Sequence, residues 1–269
     1  MARRILNLLE GLLNLVTVLI IVVVGAYSGY ALWDNQQIYA SAGNVQAELL
    51  AFKKDTKDIE EIRSMFAELK EINSDVSAWL TMDNTAIDYP VLKAFTNYTY
   101  LNMDVYGQFS LAGSIFLDST NDYHFTDCYS LVHGHHMADH LMFGDLDYYK
   151  DKTFFEENRT GTLLLEDRSY ELRTFSCMLV KSVDGNIYIP TTWKNDIEHI
   201  LEYTRSEKAL HYDNEMIERL LEENAAARDG GRKPQIIALS TCSNESSDAR
   251  TIVLAEMIPI VSEEEEGEP

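Results

Sequence analysis

The pattern of apolar positions changes character twice in the first third of the chain. Residues 11–32, "GLLNLVTVLIIVVVGAYSGYAL", run for 22 positions without a formal charge. As a helix this stretch spans about 33 Å, enough to cross the hydrocarbon core of a bilayer. Arg3 and Arg4 precede it, so the charge bias predicts a single-pass anchor with a cytoplasmic N-terminus and an extracellular remainder. A cleavable signal peptide is the rival reading, since "ASA" at 40–42 resembles a cleavage site, but the apolar run is longer than a usual signal core. Residues 35–72 are then polar and helix-favouring. Within them Ile59, Ile62, Met65, Phe66, Leu69 and Ile72 recur at spacings of three and four, an amphipathic face expected to pack on the domain C-terminal to it. A dimerising helix is the alternative, although the pattern is short for a coiled coil.

From Ser74 the period shortens to that of strands. Candidates are "VSAWLTM" and "AIDYPVL" across a "DNT" turn, "GSIFLD" (113–118), "YSLVHGH" (129–135), and "TLLLE" (162–166) with "YELRTFSCMLVKSV" (170–183). The last two are "PQIIALSTC" (234–242) and "RTIVLAEMIPI" (250–260). Between them "TTWKNDIEHILEYTRSEKAL" places Ile197, Ile200, Leu201 and Thr204 on one helical face. Strands dominate and the helices are short insertions, which predicts a mainly β fold. The expected form is a closed barrel of about eight strands, with N-terminal helices and a helix inserted in a long inter-strand connection. The expected organisation is a cytoplasmic stub and anchor at 1–33, a helical stalk at 34–73, the barrel at 74–261 and a disordered acidic tail, "SEEEEGEP", at 262–269.

Composition then narrows the chemistry. The 269 residues suffice for one good-sized domain with appendages, and 22 basic against 44 acidic residues give a formal charge of −22. A nucleic-acid partner is not expected from that balance. The three cysteines, Cys128, Cys177 and Cys242, have no metal-type spacing and are odd in number, so at least one thiol is free within a monomer. Cys128 and Cys177 lie inside apolar runs and read as small hydrophobes, whereas Cys242 sits where a strand gives way to a polar loop. Arg250 opens the next strand. A hairpin of the two strands would return Arg250 beside Cys242, whereas a surface arginine would pair with Asp248 or Glu256. The histidines cluster in "LVHGHHMADHLMFGDL", where His133 and His135 share one strand face. That spacing leaves three readings open: a zinc site, a Cys–His site, or plain surface histidines joined by His136 and His140.

"LSTC" followed by "RTIVLA", with "GHHMADHLMFGDL" upstream, resembles the sortases, cysteine transpeptidases of Gram-positive cell surfaces. The resemblance is closest to class B, through "INSDVSAWLTMDNTAIDYPVL" and "AGSIFLD", and runs from about Leu69 to Ile260. It implies Cys242 as nucleophile, His135 as catalytic histidine and Arg250 as the arginine of the transition state. His133 stands where the family usually has tyrosine. The resemblance further implies a substrate groove involving Asn97, Leu101 and Ser240, and no metal or organic cofactor. It implies secreted proteins with a C-terminal sorting signal as substrates, and an amine acceptor. "FTDCYSLVHGHHM" is more similar to the pilus-assembling branch, with a pilin lysine as acceptor, than to enzymes that attach single proteins to the peptidoglycan cross-bridge. Readings of another class are a non-catalytic membrane-tethered adhesion module and a zinc-dependent surface hydrolase.

Overall fold

The computed structural model describes residues 2–54, 56, 58–242 and 248–260. The expected acidic tail at 262–269 lies outside the described residues, as does the polar loop at 243–247. The chain forms two compact units, Met1–Ser41 and Ala42–Pro269. The first is helical throughout its described residues. Helix α1 (Ala2–Leu50) begins there, and its large apolar side chains from Leu12 to Trp33 are exposed. Among the described residues this is the one helix long and apolar enough to cross a membrane.

In the second unit, helix α2 (Ile59–Ile72) starts where the Asp58 carboxylate accepts the backbone N–H groups of Glu60 and Glu61 at 2.8 and 3.3 Å. Its predicted apolar face is real: Ile62, Met65, Phe66 and Leu69 are buried. They pack with Leu49, Val76, Trp79, Leu92 and Leu164 in one core cluster, so the face is spent on the barrel.

Nine strands are found among the described residues: β1 (Val76–Met82), β2 (Asp88–Leu92), β3 (Phe116–Leu117), β4 (Tyr129–His135), β5 (Thr160–Leu164), β6 (Ser169–Lys181), β7 (Ala209–Tyr212), β8 (Ile236–Cys242) and β9 (Ala249–Ile260). They hydrogen-bond in the order β5-β1-β2-β3-β4-β8-β9-β6-β7, and β5 also pairs with β6. That pairing closes an eight-stranded mixed barrel, as the sequence predicts, and leaves β7 as an extra strand on β6. Strand β6 serves both roles because it is long. Its first half pairs with β5, and residues 176–178 pair with β7. Two pairs are parallel, β2–β3 and β4–β8.

Strand β7 is a departure from expectation, because it falls within a segment read as helical. Three short helices come first in chain order: α3 (Lys152–Glu157), α4 (Gly185–Tyr188) and α5 (Glu198–Tyr203). Helix α5 stops at Thr204, whose hydroxyl donates back to the Leu201 carbonyl at 2.6 Å. The chain then extends onto β6 before helix α6 (Asn214–Ala227). Residues 182–235 thus form the predicted long connection. Its Ile187, Ile197, Ile200, Leu201, Ile217 and Leu220 pack on the outer faces of β4, β8 and β9.

If the α2 face holds the barrel in this way, Phe66→Ala should destabilise the protein by about 3–5 kcal/mol in denaturant unfolding. Ile59→Ala, at the edge of the same face, should cost far less, and equal losses for the two would contradict this packing.

Candidate active site

The strand ends that carry the three residues singled out by the sequence lie at one end of the barrel, and strand pairing puts them there. Strands β4 and β8 run parallel, and their last residues, His135 and Cys242, are register partners. Strand β9 runs back antiparallel to β8 with Ser240 opposite Ile252. Continued two residues beyond its last described pair, that register would bring Arg250 to the height of Cys242. The two-residue period of strands fixes the face as well. Position 135 shares a face with Tyr129 and Leu131, position 242 with Ile236 and Ala238, and position 250 with Ile252 and Leu254. All six of these residues belong to the core cluster beneath the helical connection. By strand period, positions 135, 242 and 250 therefore stand at the rim ends of three adjacent strands.

The motif around His135 also has a packing reason. A Cβ on Gly134 would stand 2.4 Å from Ile115 Cδ1 and 2.7 Å from Phe143 Cδ2, so glycine lets these side chains close against β4. A Cβ on Gly144 would meet the Met137 carbonyl oxygen at 1.9 Å. The block "GHHM…MFG" is thus one packed unit: Gly134 accepts Phe143, and Gly144 seats against Met137. It fixes the chain on both sides of the histidine cluster.

Each histidine of the cluster has its own partner. His133 is buried, and its Nε2–H donates to Asp118 Oδ2 at 3.1 Å between the rings of Phe116 and Tyr188. His136 Nε2 donates to Asp147 Oδ2 at 3.0 Å, and His140 Nδ1 lies 2.9 Å from Asp145 Oδ1. His135 Nε2 donates to the Leu101 carbonyl at 2.7 Å. Among the described residues no group of three or more His, Cys, Asp or Glu side chains is placed to hold a metal ion. Burial would raise the Asp118 carboxyl, but hydrogen bonds from His133 and Thr120 outweigh it and hold Asp118 well below the usual carboxylate range. Asp147 is depressed in the same sense, its partial burial outweighed by His136 and Lys150.

The groove residues divide. Asn97 is half-buried, donates from Nδ2 to Asp118 Oδ2 at 2.6 Å and accepts the Ser119 N–H, so its amide is held at the site by the buried carboxylate. Leu101 acts on His135 through its backbone oxygen. Ser240 is fully buried and its Oγ lies 2.8 Å from the Tyr188 hydroxyl, which ties the helical connection to β8 below the rim. Of the two carboxylates that the sequence offers Arg250, Glu256 is gripped by both terminal nitrogens of Arg219, and Asp248 accepts the Ser182 hydroxyl at 2.6 Å. Sequence reasoning missed Asp118, Asp147 and Tyr188. Asp118 left one signal, a charge ending the apolar "GSIFLD".

No protein-family model matches the chain. It is 29% identical over 209 residues to Sortase B of Staphylococcus aureus (strain NCTC 8325 / PS 47), covering 76% of this chain and 79% of that protein. It also matches the crystal structure of Spy0129, a Streptococcus pyogenes class B sortase involved in pilus biogenesis, at 32% identity with a TM-score of 0.61. That match covers 71% of this chain and 97% of the other. The chain belongs to the sortase family. It is a class B-like cysteine transpeptidase. A Staphylococcus aureus sortase B–substrate complex shares the fold of this sortase with a TM-score of 0.67 at 25% identity, over 84% of this chain and 99% of that one.

Burial pushes the Cys177 thiol up to about 12 and raises Cys128 as well, so neither is a thiolate at neutral pH. Native sortase at pH 8 should therefore lose a single thiol quickly to iodoacetamide, mapped by mass spectrometry to Cys242, with three modified after denaturation. Rapid labelling of Cys128 or Cys177 in the native protein would contradict this.

Proposed function

We propose that residues 11–32 anchor this sortase in the membrane, with the N-terminus in the cytoplasm and the barrel outside. There it cleaves a C-terminal sorting signal on secreted surface proteins. In this reading the anchor takes residues 1–33, the helical stalk 34–73 and the catalytic barrel 74–261. The catalytic part is supported by the parallel register of His135 with Cys242 and by the antiparallel return of β9 toward the same rim.

The Cys242 thiolate attacks the carbonyl carbon of the scissile peptide bond and forms a tetrahedral intermediate. Arg250 donates its planar N–H pair to the oxyanion or the adjacent peptide backbone, where a permanent charge in fixed geometry counts most. His135 then protonates the leaving amine as the C–N bond breaks, leaving a thioacyl-enzyme. The incoming amine loses its proton to His135, attacks the thioester and releases the new amide and the thiolate. The hydrogen bond from Nε2 to the Leu101 carbonyl keeps that nitrogen protonated, so Nδ1 is the ring atom that takes and returns the proton. No metal or organic cofactor enters any of these steps. Asn97, held by Asp118, is the groove residue whose amide is best placed to read the sorting peptide. Leu101 and Ser240 contribute from the groove wall and from beneath it.

The acceptor in this reading is a pilin lysine, and the sortase builds pili. The similarity at 32% identity to a class B sortase involved in pilus biogenesis supports it. The test uses the full-length chain in detergent with a panel of fluorogenic sorting-signal peptides. A lysine-bearing pilin-type peptide and a glycine peptide are offered as acceptors. An amide to the lysine ε-amine is expected. Transfer to the glycine peptide alone would overturn the pilin reading in favour of cross-bridge attachment.

On the peptide that wild type cleaves, Cys242→Ala and His135→Ala should each abolish turnover without a change in melting temperature. Arg250→Lys should lower turnover by about two to three orders of magnitude, the scale of a lost oxyanion donor, while Cys242 still reacts with a small alkylating reagent. Turnover in Cys242→Ala would sink the proposed nucleophile, and near-normal turnover in Arg250→Lys would remove the arginine from the mechanism.

A further inference from the structure

We propose that Asp147 is a positioning residue for this transpeptidation. Its carboxylate ties together the chain neighbours of His135 and Arg250 across the barrel rim. The inference rests on the roles assigned above to His135, Cys242 and Arg250.

The backbone ladder sets the height of these residues only up to a point. The described pairing of β8 with β9 ends at Ser240 and Ile252, two residues short of the rim. Beyond it, side chains take over. The Thr251 N–H goes to Thr241 Oγ1 at 3.3 Å, and Thr251 Oγ1 donates to Asp147 Oδ1 at 3.0 Å. The other oxygen, Asp147 Oδ2, accepts from His136 Nε2 at 3.0 Å. Thr241, Thr251 and His136 directly adjoin Cys242, Arg250 and His135 in the chain. One bonded network therefore holds the next residue to each proposed catalytic group.

Asp147 is itself held firmly. It sits in the short 3-10 helix Gly144–Lys150, whose Leu146 and Tyr149 are buried and whose first residue closes against Met137. A carboxylate serves here because it has two acceptor oxygens, one for each strand. Its ion pair with Lys150, at i,i+3 on the surface, is the kind that contributes little by itself. The neighbouring carboxylate Asp145 bonds the Ala86 N–H and His140. The bonds that reach toward β9 come from Asp147.

A misplacement of the catalytic groups by a fraction of an ångström to one ångström costs rate rather than binding. With the full-length chain and the sorting-signal peptide that wild type cleaves, Asp147→Ala should lower kcat by about 10–100-fold. KM should stay within about twofold of wild type. Asp147→Asn, which keeps an acceptor for only one of the two partners, should recover part of the loss. Thr251→Val removes only the hydroxyl and should lower kcat in the same direction, and adding it to Asp147→Ala should cost nothing further.

Wild-type kcat in Asp147→Ala, additive losses in the double variant, or a change confined to KM would each overturn the inference. Should Asp147→Ala fail to fold, Thr251→Val with an unchanged melting temperature decides alone, and an unaltered kcat there overturns it. Failure of the underlying reading shows separately, as turnover surviving in Cys242→Ala.

Discussion

Everything at the candidate site depends on one pairing, the parallel ladder between β4 and β8. Parallel neighbours end at the same edge of a sheet, so a base at the end of one and a nucleophile at the end of the other meet without any loop having to place them. A parallel pair also cannot be joined by a tight turn. The chain between His135 and Ile236 carries β5, β6, β7 and the helical connection at 182–235. That connection then packs over β4, β8 and β9. The pairing that sets His135 in register with Cys242 thus also requires the long excursion between the two strands. Strand β9 completes the arrangement in the opposite sense, since an antiparallel return brings its first residues, not its last, to the same edge.

The second organising feature is the use made of acidic residues. The chain carries twice as many carboxylates as basic groups, and at the histidine cluster they sort four chemically similar side chains into different roles. Asp118, Asp147 and Asp145 take His133, His136 and His140. His135 instead donates to the Leu101 carbonyl, which orients the ring. Asp118 does further work: its carboxylate, held charged by His133 and Thr120 despite burial, also fixes the amide of Asn97. The buried His133 is thus coupled, through one carboxylate, to the amide of Asn97.

Local physics was legible in the sequence and long-range pairing was not. The period of two located β4 to the residue, and the apolar runs at 234–242 and 250–260 predicted the β8–β9 return that carries Arg250 back toward Cys242. The helical spacing of Ile62, Met65, Phe66 and Leu69 gave the buried face of α2. The parallel β4–β8 register has no local signature, because it joins residues far apart in the chain. For the same reason periodicity left His133, His135, His136 and His140 undivided, and only the resemblance to sortases chose His135. Strand β7 was missed because "ALHY" is short and follows a genuine helical pattern that Thr204 ends by turning its hydroxyl back on the helix. Asp147 gave no signal at all: an acidic residue in a polar turn looks like solvent-facing charge until its partners on two strands are seen.

The central claim is that the rim position at the end of β8 is where the acyl group is carried. It is tested most directly by incubating the full-length chain with a cleavable sorting-signal peptide in the absence of amine, quenching in acid and mapping the adduct by peptide mass spectrometry. The account predicts an acyl mass on the peptide containing Cys242, removed by hydroxylamine as a thioester must be. An adduct on Cys128 or Cys177, or cleavage that proceeds with no hydroxylamine-labile adduct on Cys242, would contradict it.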